Sequence, residues 1–253
     1  SLHSLQFIGP PFTFGLRQLG QNCGIVGIHA GVDINGISYW MSQDSFFLFD
    51  GSVKKLPCTV EQFIFNNLNV TGAENAFAGH NGEFNEIMWF YPRTGSDTIN
   101  AVVAYNYLER TWWTGTLDRT TWMDREVYDN PVATDYLPTT TANNEVISGL
   151  TDGATQLFLH ETGNNGDGAA ITAFVKSGVV QIGEGNDFAF VSKLIPDIED
   201  QEGTLNAKLE FKNYPNNSTS VTKTVSFQDN TDFVNLRGRG REFTVNVVSN
   251  TTG

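Results

Sequence analysis

Apolar and polar positions alternate in short runs along most of this chain, and Gly, Asn, Asp and Pro punctuate the runs. The richest stretch covers residues 86–113, Glu86-Ile-Met-Trp-Phe-Tyr-Pro-Arg93 and then Ala101-Val-Val-Ala-Tyr-Asn-Tyr-Leu-Glu-Arg-Thr-Trp-Trp113. The period-2 placement of Val103, Tyr105 and Tyr107 predicts strands rather than a helix. Thr94-Gly95-Ser96-Asp97 supplies a turn between the two aromatic strands.

Upstream, Gly31-Val-Asp-Ile34 and Ile37-Ser-Tyr-Trp-Met41 flank Asn35-Gly36, the strongest short hairpin signal. Ser45-Phe-Phe-Leu-Phe49, Asp50-Gly51 and Val53-Lys-Lys-Leu-Pro57 predict a second hairpin. Thr59-Val-Glu-Gln62 has the form of a capping box, so a short helix is expected over residues 60–68, burying Phe63, Ile64 and Leu68. Three blade-like units follow from this pattern, at about residues 24–69, 73–119 and 120–161. The third contains a polar Pro/Thr/Asn loop at 138–144 and a strand at Thr155-Gln-Leu-Phe-Leu-His-Glu161.

Past Gly163-Asn-Asn-Gly-Asp-Gly168 the runs lengthen. Ile171-Thr-Ala-Phe-Val175, Phe188-Ala-Phe-Val-Ser-Lys-Leu-Ile-Pro196, Gly203-Thr-Leu-Asn-Ala-Lys-Leu-Glu-Phe211, Val221-Thr-Lys-Thr-Val-Ser-Phe227 and Glu242-Phe-Thr-Val-Asn-Val-Val248 alternate cleanly. That pattern predicts antiparallel sheets with one wet face, and so a sandwich. The expected fold is all-β: partial β-propeller-like blades over residues 1–165, followed by an antiparallel β-sandwich over 166–253.

Composition agrees with a folded β protein, at 40% hydrophobic, 12% aromatic and 17% charged residues. No apolar run approaches membrane-spanning length, and membrane insertion is not expected. Ser1 in place of Met suggests a processed chain or part of something longer. The net charge of −13 disfavours nucleic-acid binding unless basic groups are segregated, and suits either solubility or an acidic wall past which DNA slides. Cys23 and Cys58 are too few for a disulfide scaffold and read as small buried side chains, with a bridge between them left open. Asn69-Val-Thr71, Asn217-Ser-Thr219 and Asn250-Thr-Thr252 match glycosylation sequons that an Asn- and Thr-rich chain produces by chance.

Candidate chemistry is sparse. His3, His29, His80 and His160 are scattered without ligand spacing, so no metal site is expected. His160-Glu161 reads as an oriented structural pair. Glu83 with Glu86, Asp118 with Asp124, and Asp197 with Glu199 and Asp200 are candidate acid/base pairs for a glycosidase. Trp112, Trp113 and Trp122 are candidate sugar-stacking groups, with exposed turn carboxylates and blade-core tryptophans the simpler readings. The Asp-Gly turns at 50–51, 152–153 and 167–168 do not complete a calcium loop, and no phosphate loop, dinucleotide fingerprint or nucleophile elbow is present. No catalytic residue and no cofactor are expected, and the chain is not expected to be an enzyme.

Arg237-Gly-Arg-Gly-Arg241 is the only dense basic cluster. Alternation places Arg237, Arg239 and Arg241 on one face of an extended segment. There they suit pairing with carboxylates across a sheet, a contact to an acidic neighbouring subunit, or a grip on phosphates. Without interleaved aromatics they make a poor single-strand-binding signature.

The order of Asn22-Cys-Gly-Ile-Val-Gly27, Tyr39-Trp-Met41, Phe49-Asp-Gly51, Leu56-Pro-Cys58, Trp89-Phe-Tyr-Pro92, Tyr105-Asn-Tyr107 and Trp112-Trp-Thr-Gly115 resembles a bacteriophage tail family. His160-Glu-Thr-Gly163, Ile195-Pro-Asp197, Asn213-Tyr-Pro215 and Arg237-Gly-Arg-Gly-Arg241 extend the likeness, which runs from about residue 14 to 248. The family is that of the nozzle (tail tubular protein B) and DNA-stabilisation proteins of short-tailed phages, and this chain resembles its C-terminal part. The resemblance implies a structural virion protein assembled in the bacterial host cytoplasm. It further implies a homo-oligomeric ring, usually six-fold, around the DNA exit channel, docking other tail and adaptor proteins and passing DNA without specific binding. The alternative is a carbohydrate-binding or glycoside-cleaving β-propeller protein, and a third reading is a generic β-sandwich interaction module.

Overall fold

The computed structural model describes residues 1–136, 155–166, 168–181, 187–219 and 221–251. The chain is all-β, with one short α-helix among the described residues, and divides into two compact units, Ser1–Glu161 and Thr162–Gly253. The expected loop at 138–144 and the Asp-Gly turns at 152–153 and 167–168 include residues outside those described.

The first unit opens with a hairpin of β1 (Leu2–Phe7) and β2 (Phe14–Gly20). Its register sets Leu5 opposite Leu16 and Phe7 opposite Phe14, which gives the ribbon one apolar face, whereas Ser4 opposes Arg17 on the other. Neither strand is among those the sequence pattern predicts.

Four strands then form an antiparallel meander, β3 (Gly31–Ile34), β4 (Ile37–Met41), β5 (Phe46–Phe49) and β6 (Val53–Leu56). Asn35 and Gly36 both have positive φ, 54° and 79°, as a two-residue primed turn demands. Helix α1 (Glu61–Asn67) follows, but Val60 occupies its N-cap and no side chain caps it, so the Thr59/Gln62 capping box does not form. The first turn is supported instead by Glu61 at the positive end of the helix, itself held 2.9 Å from Lys55. Ile64 and Leu68 are buried, as the sequence predicts. Phe63 is 48% exposed, contrary to expectation, because the buried stripe runs through Val60, Ile64 and Leu68 at four-residue spacing.

A second meander comprises β7 (Phe77–Asn81), β8 (Glu86–Tyr91), β9 (Ala101–Asn106) and β10 (Thr111–Gly115). Its inner strands are buried on both faces. Ile87, Trp89, Tyr91, Val103 and Tyr105 pack with Met41, Phe46 and Ile64 of the first meander and helix. Met88, Phe90, Val102 and Ala104 pack on the opposite side with Trp122. Trp122 belongs to a third sheet, β11 (Thr121–Met123), β12 (Val132–Tyr136) and β13 (Thr155–Leu159). The second sheet is thus the filling between its two neighbours. At the centre of the larger cluster Phe46, Trp89 and Trp112 meet ring to ring at centroid distances of 4.8–6.0 Å.

The second unit holds β14 (Asn165–Gly166), β15 (Ala169–Ala170), β16 (Ala173–Lys176), β17 (Val180–Gln181), β18 (Ala189–Leu194), β19 (Leu205–Lys212), β20 (Val221–Phe227), β21 (Val234–Gly240) and β22 (Glu242–Ser249). Five strands form one antiparallel sheet, in the order β16-β22-β19-β20 with β17 also on β22, and β18 pairs with β21 in a separate ribbon. Along β19, Ala207, Leu209 and Phe211 point inward while Lys208, Glu210 and Lys212 face outward. The inward row shares one core with Val191, Leu194, Val234 and Leu236 of the ribbon.

Candidate functional site

The Gly-Arg alternation of β21 has a direct structural cause. Leu236, Gly238 and Gly240 are buried while Arg237 and Arg239 are exposed. A Cβ on Gly238 would overlap the Phe211 ring of the facing sheet, and one on Gly240 would lie 2.9 Å from the Lys212 carbonyl oxygen. Only glycine admits the facing layer this close, so the inward positions are glycine and the outward ones are free to carry charge.

Those outward positions form the candidate site. Arg239 lies opposite Phe190 in the β18–β21 register, and its guanidinium sits 4.6 Å from the centroid of the Phe188 ring. Arg241, at the bend between β21 and β22, lies 5.1 Å from the same ring and 4.9 Å from that of Tyr214. Its Nε is buried without a hydrogen-bond partner among the described residues. Within the same set none of the three arginines forms an ion pair, so cross-sheet pairing with carboxylates of its own chain is not the arrangement found. Aromatic rings reach the cluster in space although none is interleaved with it in sequence. Phe188 and Tyr214 come from distant points in the chain, Phe188 brought in by the pairing of β18 with β21 and Tyr214 by the pairing of β19 with β22, where the Arg241 N–H donates to the Lys212 carbonyl oxygen. Guanidinium groups resting on ring faces are oriented and partly desolvated, and the exposed Arg239 keeps its N–H edges open to an anion.

Several of the other candidate carboxylates are held by partners of their own. Asp124 accepts a hydrogen bond at 2.9 Å from the Gly82 backbone N–H and lies 2.9 Å from Nδ1 of His80, so it ties the second sheet to the residues after β11. His80 Nε2 lies 3.4 Å from the Tyr107 hydroxyl, which donates to Asn85 Oδ1 at 3.2 Å. Glu86 accepts from Trp113 Nε1 at 2.6 Å and Glu161 from Asn81 Nδ2 at 2.9 Å. Burial pushes both carboxyls above their ordinary range, and Glu161 adds to the shift at Glu86. Asp118 is raised by burial as well.

The tryptophans do not share a platform. Trp112 packs with the larger cluster and Trp122 with the smaller, on opposite faces of the second sheet. Trp113 is 40% exposed and so is not blade core, contrary to the simpler sequence reading. Cys23 and Cys58 are both free thiols. Cys23 is buried, but Cys58 is only half-buried, and desolvation pushes its thiol up to about 11.

His160 packs tilted against the Trp122 ring at 4.8 Å and accepts a hydrogen bond at its Nε2 from Arg119 Nε at 3.0 Å. Burial, and then the Arg119 charge, lower it from 6.5 to about 4. The unfolded chain therefore binds more protons between those values. Stability that is complete above pH 6.5 is lost as pH falls toward 4. After allowance for partial exposure the loss is about 1–3 kcal/mol. His160→Gln keeps an acceptor for Arg119, and denaturant titrations at pH 7 and pH 4 will show a smaller acid loss in the variant than in the parent by that amount.

Searches against protein-family models and against curated protein sequences found no match to this chain.

Proposed function

We propose that this chain is a structural component of a phage tail, a nozzle or hub part that assembles with copies of itself around the DNA exit channel. The supporting observation is the amount of apolar sheet surface in the first unit that no described residue covers. On the opening hairpin Leu5, Phe7, Phe14 and Leu16 are 67%, 66%, 58% and 69% exposed along one face. On the third sheet Met123, Leu157 and Leu159 share a face and are exposed. A lone two-stranded ribbon is marginal in water, and contiguous apolar patches of this kind mark contacts with other chains. Rigid stacked sheets with uncovered faces suit a part whose work is to hold a shape and bind neighbouring tail and adaptor proteins.

The acidic surface fits the same reading. At a net charge of −13 a channel wall repels DNA phosphates, so DNA leaves the head without sticking. Localisation in the virion, after assembly in the host cytoplasm, belongs to this proposal.

Negative-stain electron microscopy of the purified chain tests it. Closed rings with a central opening are the expected particles. Fields of single particles of monomer size at every concentration would contradict it.

A further inference from the structure

The β18–β21 ribbon of the second unit is electrostatically polar along its length. Ala189 pairs with Gly240 at one end and Leu194 with Val234 at the other. The two ends lie about 17 Å apart at roughly 3.3–3.4 Å per residue. The first end carries Arg239 and Arg241 over the Phe188 ring, with Arg237 exposed on the same strand. Asp187 precedes Phe188, but among the described residues it forms no ion pair with them.

At the second end, the segments after β18 and after β20 line one groove through Asp197, Ile198, Gln201, Asp229, Thr231 and Asp232. Asp197, Glu199, Asp200, Asp229 and Asp232 are all exposed, and among the described residues no cation pairs with any of them. The nearby Lys193 is held over the Phe233 ring at 4.8 Å.

We propose that these ends dock head to tail between copies of this chain, the arginines of one copy against the acidic groove of the next. This inference rests on the self-assembly reading above and supplies it with an interface. Three features carry it. Among the described residues the arginines have no carboxylate partner, the carboxylates have no cation, and Arg239 with Arg241 lies at one end of the ribbon while the carboxylates lie at the other. Such a contact joins two different patches, so it is heterologous, and repetition of it generates a ring when the rotation closes. The aromatic faces behind Arg239 and Arg241 orient the guanidinium forks, and carboxylates are the planar acceptors that such forks match. Phosphate also matches them, but the unpaired carboxylates on the same unit make a second copy the better complement.

Charge exchange distinguishes the outcomes. Mass photometry compares the parent chain, Arg237→Glu/Arg239→Glu, Asp197→Lys/Asp232→Lys, and an equimolar mixture of the two variants. Far-UV circular dichroism checks that each variant folds. If the glutamate pair misfolds, Arg237→Gln/Arg239→Gln replaces it in the single-variant comparison. Each variant alone is expected to associate about 30-fold or more weakly than the parent, the effect of unpairing an interfacial charge. The mixture is expected to regain assembly, because each altered end then meets an opposite charge. A parent that assembles while both variants assemble equally well overturns the docking and leaves the self-assembly reading standing. A parent that stays monomeric overturns both. A fluorescent single-stranded oligonucleotide that binds the parent but not the arginine variant, with assembly unchanged, assigns the arginines to nucleic acid and also overturns the docking.

Discussion

Trp89→Ala will destabilise the first unit by about 3–5 kcal/mol, the usual cost of truncating a fully buried tryptophan. Trp89 has no solvent exposure, and its ring meets Phe46 at 4.8 Å and Trp112 at 6.0 Å. Its Nε1 donates to the Ala30 carbonyl oxygen at 3.2 Å, next to the first meander. Alanine would therefore leave a void among rings contributed by both meanders and remove a hydrogen bond between them. Trp89→Phe should cost less, because most of the volume remains. All five tryptophans precede residue 123, so tryptophan fluorescence during denaturant unfolding reports this unit. A loss below about 1 kcal/mol would mean that the sheets do not meet through this residue.

The second large effect is in the other unit. Gly238→Ala should cost about 3 kcal/mol, at the upper end of what overpacking usually costs. The added methyl overlaps Cε2 and Cζ of Phe211, a ring with no solvent exposure. Either β21 moves outward or Phe211 leaves its rotamer, and both loosen the shared core. Phe211→Leu in the same chain should recover part of the loss, giving a coupling that an unrelated pair would not show. Hydrogen exchange across β19 and β21 supplies the readout. Equal stability of Gly238→Ala and the parent would rule out close approach of Phe211 as the cause of the Gly-Arg alternation.

Much of this architecture was legible where local chemistry and tertiary packing agree. Asn35-Gly36 and Asp50-Gly51 mark two hairpins of the first meander, and the alternation in β19 separates its wet face from its core face. Legibility fails where a strand is buried on both sides. Ile87 to Tyr91 and Ala101 to Tyr105 are unbroken apolar runs, which reveal strands but not that two separate clusters form on their opposite faces. The capping box fails for a different reason. The pattern Thr59-Val-Glu-Gln62 is only a local option, and packing of Val60 and Ile64 against the meander sets the helix start one residue later.

The candidate site was half legible. Gly-Arg alternation orients Arg237 and Arg239 correctly from sequence, because a strand's period is a local property. Phe188 and Tyr214 were not, since nothing near residue 239 signals which strand pairs with β21. The opening hairpin carried a signal that was available, Leu5 and Phe7 facing Phe14 and Leu16, but its apolar face has no partner among the described residues to make its role plain.

Sedimentation velocity of the purified chain over a wide concentration range, at low and at high salt, tests self-assembly most directly. One discrete multiple of the 27.9 kDa chain should grow in with concentration and weaken as salt screens the arginine–carboxylate contacts. A single 27.9 kDa species under every condition would mean that the chain does not assemble with itself.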